Sequence, residues 1–171
     1  MLRILYQTLR TGTVTEKTLP EADKEIEIVG NALKEEVHKR FHHSLTIREI
    51  DAGSCNGCEL EIHAMNNPYY DCERFGVHFT ASPRFADVLF VTGPVSRNME
   101  IALKRTVDAT PDPKIVVAVG DCAACGGVFG TSYASLGAVE NVVPVDVKVH
   151  GCPPSPAALI RALLAAVGTS E

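Results

Sequence analysis

The chain has 171 residues, 46% hydrophobic and 22% charged, with 13 Gly and 10 Pro, which excludes a disordered or collagen-like polypeptide and predicts one globular core. Sixteen Lys and Arg against 21 Asp and Glu give a net charge of -5, which excludes an extended surface for gripping nucleic acid phosphates.

At the amino end, MLRILYQTLRTGTV has Arg3 and Arg10 around a short apolar stretch, with no small-residue cleavage site and no twin-arginine pair, so it does not read as an export signal. Later apolar stretches are broken by charge well short of a membrane span, as Arg161 does in AALIRALLAAV. These features predict a soluble, cytosolic chain. The segment TGTVTEKTLPEADKE has turn formers and few large apolar groups and reads as an extended arm. NALKEEVHKRF then sets Leu33, Val37 and Phe41 at helical spacing, the pattern of an amphipathic helix that packs on a partner or on the core. Residues 1–43 are accordingly read as an amino-terminal arm and helix, and 44–171 as the main domain.

From residue 45, short β-branched runs alternate with Gly- and Pro-containing turns and helical stretches. LTIREI, GVHFT, DVLFVT, KIVVAV and DVKVH are the predicted strands. SRNMEIALKRTVDAT and PAALIRALLAAV are predicted helices, the second opened by Ser155 as cap and Pro156 as first helical residue. The alternation predicts an α/β domain with an open, flavodoxin-like parallel sheet and flanking helices.

Six cysteines in a reducing compartment point to a metal or redox site rather than to disulfides. Cys55 and Cys58 follow the first predicted strand, Cys122 and Cys125 the fourth, and Cys152 the fifth, so three loops converge on the carboxyl edge of the sheet, where open α/β folds bind ligands. Gly53, Gly57, Gly120, Gly126, Gly127 and Gly151 occupy the same loops and let backbone approach a bulky group. Four thiolates suit an iron-sulfur cubane. A structural zinc site, a redox-active thiol pair and inert buried thiols remain open on residue types alone, although the separation of the two C-x-x-C pairs far exceeds the usual zinc spacer of roughly 12 to 20 residues. Cys72, with no paired spacing, reads as a buried small side chain.

In order along the chain, AGSCNGCELEI, ERFG, SPRFADVLFVTGPV, PDPKIVVAVGDCAACGGVFG and VDVKVHGCPPSP resemble the small electron-transfer subunit shared by [NiFe]-hydrogenases and respiratory complex I. The likeness spans about residues 44 to 167. It implies one [4Fe-4S] cluster held by Cys55, Cys58, Cys122 and Cys152, with Cys125 at a position where family members vary and read as a small residue packed beside the cluster. Complex I proteins have adjacent cysteines in the first motif, whereas Asn56 and Gly57 are inserted here, which resembles the hydrogenase side and CNGCELE in particular the energy-converting hydrogenases and the formate hydrogenlyase group. The corresponding small subunit of a complex I-type NADH-quinone oxidoreductase is the alternative within this class, and a zinc-stabilised interaction module the alternative outside it. With residues 153–171 following Cys152, a single cluster is expected.

A lone cubane exchanges one electron and transforms no substrate, so the resemblance implies a non-catalytic relay within an oxidoreductase complex. The implied partners are a large subunit of hydrogenase or quinone-reductase type, a ferredoxin-like subunit with two clusters, and integral membrane proteins, with this chain peripheral on the cytoplasmic face. By the resemblance, Glu61, Asp71 and Asp87 match acidic positions that neighbour the cluster in complex I relatives and are linked there to coupling of its redox state with protonation; a salt-bridge role is the other reading. Arg74 and Arg84 either fix loops, the reading ranked first, or hydrogen-bond toward the cluster, and Gly126 and Gly127 leave room beside it. His150, next to Gly151 and Cys152, reads as a packed or solvated strand-end residue, and His38, His42 and His43 as one face of a basic helix.

Overall fold

Leu45, Ile47, Val88, Phe90, Ile115 and Val117 point to one side of a sheet, and Ile50, Leu89, Val91, Val116 and Ala118 to the other. This two-residue period is what parallel strands with both faces covered require. The computed structural model describes residues 2–12 and 24–168. In chain order the elements are α1 (Leu2–Thr11), α2 (Lys24–Phe41), β1 (Leu45–Asp51), α3 (Gly57–Ala64), β2 (Val77–Phe79), β3 (Val88–Thr92), α4 (Glu100–Ala109), β4 (Ile115–Val119), α5 (Asp121–Cys125), β5 (Val147–Val149) and α6 (Pro156–Gly168). Short 3-10 turns lie at Cys72–Phe75, Pro83–Phe85 and Val139–Asn141.

All five strands are parallel and pair in the order β2-β1-β3-β4-β5. This is the flavodoxin-like order, with its switch point between β1 and β3. The five predicted strands and the helices α2, α4 and α6 are all present, and Ser155 Oγ accepts the Ala158 N–H at 3.3 Å as the predicted cap of α6. Of the segment read as an extended arm, residues 13–23 lie outside the described residues.

One face of the sheet packs on α2, α3 and α6 through Leu33, Val37, Ile62, Leu159 and Leu163; the other packs on α4 through Leu103 and Val107. The amphipathic helix α2 therefore packs on the core. It is bound to α6 by Arg40 Nη1, which donates to the Val167 carbonyl at 2.8 Å, and by the pair Arg161 and Glu25. Burial of each such leucine or valine contributes about 1.5–3 kcal/mol. Gly30 gives Phe75 its place, since a Cβ there would lie 2.4 Å from the ring.

The amino edge of the sheet is closed by the chain's own carboxylates. Asp87 Oδ2 accepts the Thr46 N–H at 2.8 Å and Asp146 Oδ2 the Val116 N–H at 2.7 Å. Each acid precedes its own strand and satisfies an amide on the neighbouring one. Among the described residues, no helix is long and apolar enough to cross a membrane.

Candidate functional site

The first cysteine loop leaves β1 at Asp51, whose Oδ1 accepts the N–H groups of Gly53 and Ser54, both at 2.8 Å. Asn56, in the left-handed conformation at φ 70°, then starts α3. The turn places Cys55 at the surface and Cys58 half-buried. The second loop leaves β4 at Gly120 and winds at once into α5, which carries Cys122 and Cys125. The third leaves β5 through His150 and Gly151 to Cys152, which is exposed.

Gly120 is where the three loops meet. Its φ is +86°, and a Cβ on it would lie 2.6 Å from Cys58 Sγ and 3.3 Å from the Gly151 carbonyl. Gly127, at φ +54°, does the same beside Cys122, with a Cβ position 2.8 Å from that Sγ. Asp121 ties the second loop to the third: its Oδ1 accepts the Gly151 N–H at 3.0 Å and lies 3.2 Å from His150 Nδ1, while its own N–H donates to the Gly151 carbonyl at 2.9 Å. The Gly151 amide, helped by His150, holds the Asp121 carboxyl below the usual range.

Burial pushes the Cys58 thiol up to about 12, and Glu59, Cys55, Cys122 and Cys152 all add to the rise. Cys122 is raised as well, by burial first and then by Cys152 and Cys55. Cys55 and Cys152 thus stand near enough to oppose the ionisation of both Cys58 and Cys122, and these two become thiolates most readily when a cationic centre takes the proton's place. Soft sulfur donors, with glycines clearing the backbone from around them, fit an iron-sulfur group. Among the described residues, no three His, Cys, Asp or Glu are gathered closely enough to hold a single metal ion.

The remaining residues singled out in the sequence lie at different places. Gly126, in the left-handed conformation, closes α5, and Glu61 is half-buried on α3. Asp71, Arg74, Arg84 and Asp87 lie on the connections that lead into the amino ends of β2 and β3. There Arg74 pairs with Glu27 at 2.7 Å and sits 4.6 Å over the Phe75 ring, joining its loop to α2. Asp87 holds Thr46 and faces His43 at 3.8 Å. Cys72 is 1% exposed in the core, its Sγ donating to Asn66 Oδ1 at 3.0 Å. Cys125 is exposed, and its Sγ donates to the Asp121 carbonyl at 3.1 Å.

Two acidic residues beside the cysteines emerge only from the structure. Asp121 links loops thirty residues apart, which no local pattern signals. Glu59 is 7% exposed, and neither of its carboxylate oxygens has a hydrogen-bond partner among the described residues. Nearby Glu49 is held above the usual carboxylate range by burial, against the pull of His63 and with a further push from Glu59.

With this geometry in view, comparison with known proteins is decisive. Residues 55–166 match the family described as the 20 kDa subunit of NADH ubiquinone oxidoreductase. The chain belongs to this family. The match opens on Cys55 and ends inside α6, so it takes in all of Cys55, Cys58, Cys122 and Cys152 and the strands β2 to β5, and begins just after β1. Subunit 7 of the Escherichia coli formate hydrogenlyase is 41% identical over 82% of the chain, which spans 55% of that relative, about half its length. A probable membrane-bound hydrogenase subunit of Pyrococcus furiosus is 47% identical over 69% of the chain and 71% of the relative. Among solved structures, a chain of an archaeal respiratory membrane complex, the membrane-bound sulfane sulfur reductase, superposes with a TM-score of 0.65 at 32% identity, covering 82% of this chain and 77% of that one.

Proposed function

We propose that this chain is an electron-relay subunit carrying one [4Fe-4S] cluster on Cys55, Cys58, Cys122 and Cys152, within a membrane-associated complex of [NiFe]-hydrogenase or formate-hydrogenlyase type. The observation that supports this most is the meeting of three loops at Gly120, where the lack of a side chain leaves room for the Cys58 sulfur against the third loop. Such a cluster supplies one reversible electron and no bond chemistry. The chain's own residues supply the rest: four thiolates to hold it, Asp121 to lock the second and third loops together, and Gly126 and Gly127 to bring amides close to sulfur. Cys125 packs beside the cluster without ligating it, and Glu61 stands on α3 as a carboxylate three residues beyond Cys58.

The reading places a large catalytic subunit against the cysteine loops. Val128, Phe129 and Tyr133, which follow Gly127, are 94%, 60% and 93% exposed, an apolar rim beside the thiols of the kind that a subunit interface buries. A ferredoxin-like subunit with two clusters and integral membrane proteins complete the proposed assembly, with this chain on its cytoplasmic face. The inserted Asn56 and Gly57 and the names of the hydrogenase relatives favour this branch. The family's own description favours the second reading, a complex I-type quinone reductase subunit.

Anaerobic purification of the complex, with its subunits identified and its nickel, iron and zinc quantified, tests the proposal. Nickel in the associated large chain supports the hydrogenase branch. Its absence from a large chain lacking nickel-binding cysteines moves the assignment to the quinone-reductase branch. Zinc without iron overturns both and leaves a zinc-stabilised interaction module.

A further inference from the structure

The helix α1 takes no part in the core: none of its residues is buried, and Leu2, Leu5, Tyr6 and Leu9 are 84%, 60%, 66% and 76% exposed. At about 100° per residue these four fall on one side of the helix, with Ile4 the single large apolar residue elsewhere. Arg3 and Arg10 lie together along one edge of that side, and Gln7, Thr8 and Thr11 fill the remainder. A sequence that exposes so much apolar surface on one side of a helix is stable in water only when something covers it.

Charge identifies the cover. Residues 2–11 hold two arginines and no acidic group, while the other residues hold 14 basic and 21 acidic side chains. The helix is therefore a cationic, amphipathic element on a chain that is otherwise net negative. A bilayer with anionic headgroups attracts this helix, while the remainder of the chain is net negative and adds no overall attraction. Ten residues rise only about 15 Å, half the hydrocarbon thickness, so the helix lies on a membrane rather than through it. Tyr6 at the border of the apolar side, beside both arginines, suits the headgroup level, where an aromatic ring has one apolar and one wet end and arginine extends its charge outward.

We propose that α1 is an interfacial anchor, with Leu2, Leu5, Tyr6 and Leu9 at the acyl boundary of an anionic bilayer and Arg3 and Arg10 on its phosphates. The inference rests on the membrane-associated reading above only for a bilayer within reach, and it requires neither the cluster nor any partner. A single short helix of this kind binds weakly and reversibly, so it orients the chain at the surface rather than fixing it there.

Flotation of the full-length chain with vesicles tests this directly. The expected result is co-flotation with vesicles of phosphatidylcholine and phosphatidylglycerol, falling about tenfold or more with phosphatidylcholine alone or in high salt. The double variant Leu5→Glu, Leu9→Glu should remain unbound with an unchanged melting temperature, since no α1 side chain is buried. Arg3→Gln, Arg10→Gln should keep only weak, salt-insensitive binding. Failure of the unaltered chain to float with anionic vesicles, or flotation of the Leu5→Glu, Leu9→Glu variant to the same extent, overturns the proposal. So does dependence of complex assembly on α1 when the purified chain ignores lipid, which assigns the helix to a protein groove. A chain that lacks iron yet floats as expected leaves the anchor standing while the relay reading fails.

Discussion

The two ends of the sheet are built on opposite principles. At the amino edge, strand amides and long charged side chains find partners within the chain: Asp87 holds Thr46, Asp146 holds Val116, and Arg74 joins Glu27. At the carboxyl edge, Cys55 and Cys152 oppose the ionisation of Cys58 and Cys122, Glu59 is buried with neither oxygen hydrogen-bonded among the described residues, and the apolar side chains of Val128, Phe129 and Tyr133 are exposed. One end is finished by its own residues. The other holds sulfur donors and exposed apolar side chains, as the proposed relay role requires of a face that meets a cluster and a partner.

Substitutions at the carboxyl edge should therefore abolish the proposed function, while those at the amino edge cost stability alone. The largest effect is expected from replacing Cys55, Cys58, Cys122 or Cys152 with Ala, each of which should eliminate this subunit's share of the brown absorbance and its own paramagnetic signal in the reduced complex. Cys125→Ala should retain both, and the reverse pattern between Cys122 and Cys125 would reassign that ligand. Gly120→Ala should come next. Its Cβ collides with Cys58 Sγ and its positive φ strains any side chain by about 1–3 kcal/mol, so iron content should fall sharply even where the chain still folds.

Asp121→Ala frees Gly151 and His150 from the second loop and should speed iron loss to a chelator. Because Asp121's folded pKa is depressed, its contribution is present above the ordinary aspartate value of 3.8 and fades as pH falls through the lower folded value. Its amino-edge counterpart, Asp87→Ala, should cost about 1 kcal/mol in urea unfolding through the lost bond to Thr46, with iron content unchanged. The smallest effect belongs to Cys72. Its thiol, buried and pushed up to about 12, should resist alkylation in the native protein while exposed Cys125 reacts, and Cys72→Ala should leave the cluster's signals intact.

The fold was legible because its signals are local. VLFVT and IVVAV are buried on both faces and read as unbroken apolar runs, while the two-residue turn chemistry of Ser155 and Pro156 announced α6. The placement of the cysteines after three strands was legible for the same reason. Shorter or unpartnered helices were not. In α3, Gly57, Glu59, Glu61 and His63 dilute the apolar period, α5 spans only five residues, and α1 has a clear apolar side but no core to pack against. Long-range pairings left no trace in the sequence: Asp121 meets Gly151 across thirty positions, and Arg74 is drawn to Glu27 on a helix that precedes the sheet. A loop-fixing role for Arg74 follows from its residue type; its helical partner comes only from the fold.

The most direct measurement is the iron and acid-labile sulfide content of the complex isolated without oxygen, together with low-temperature electron paramagnetic resonance after reduction. About four iron and four sulfide attributable to this chain are expected, with a signal that is lost in Cys58→Ala. A colourless preparation without iron or labile sulfide, or a signal from this subunit that survives Cys58→Ala, would contradict the relay reading.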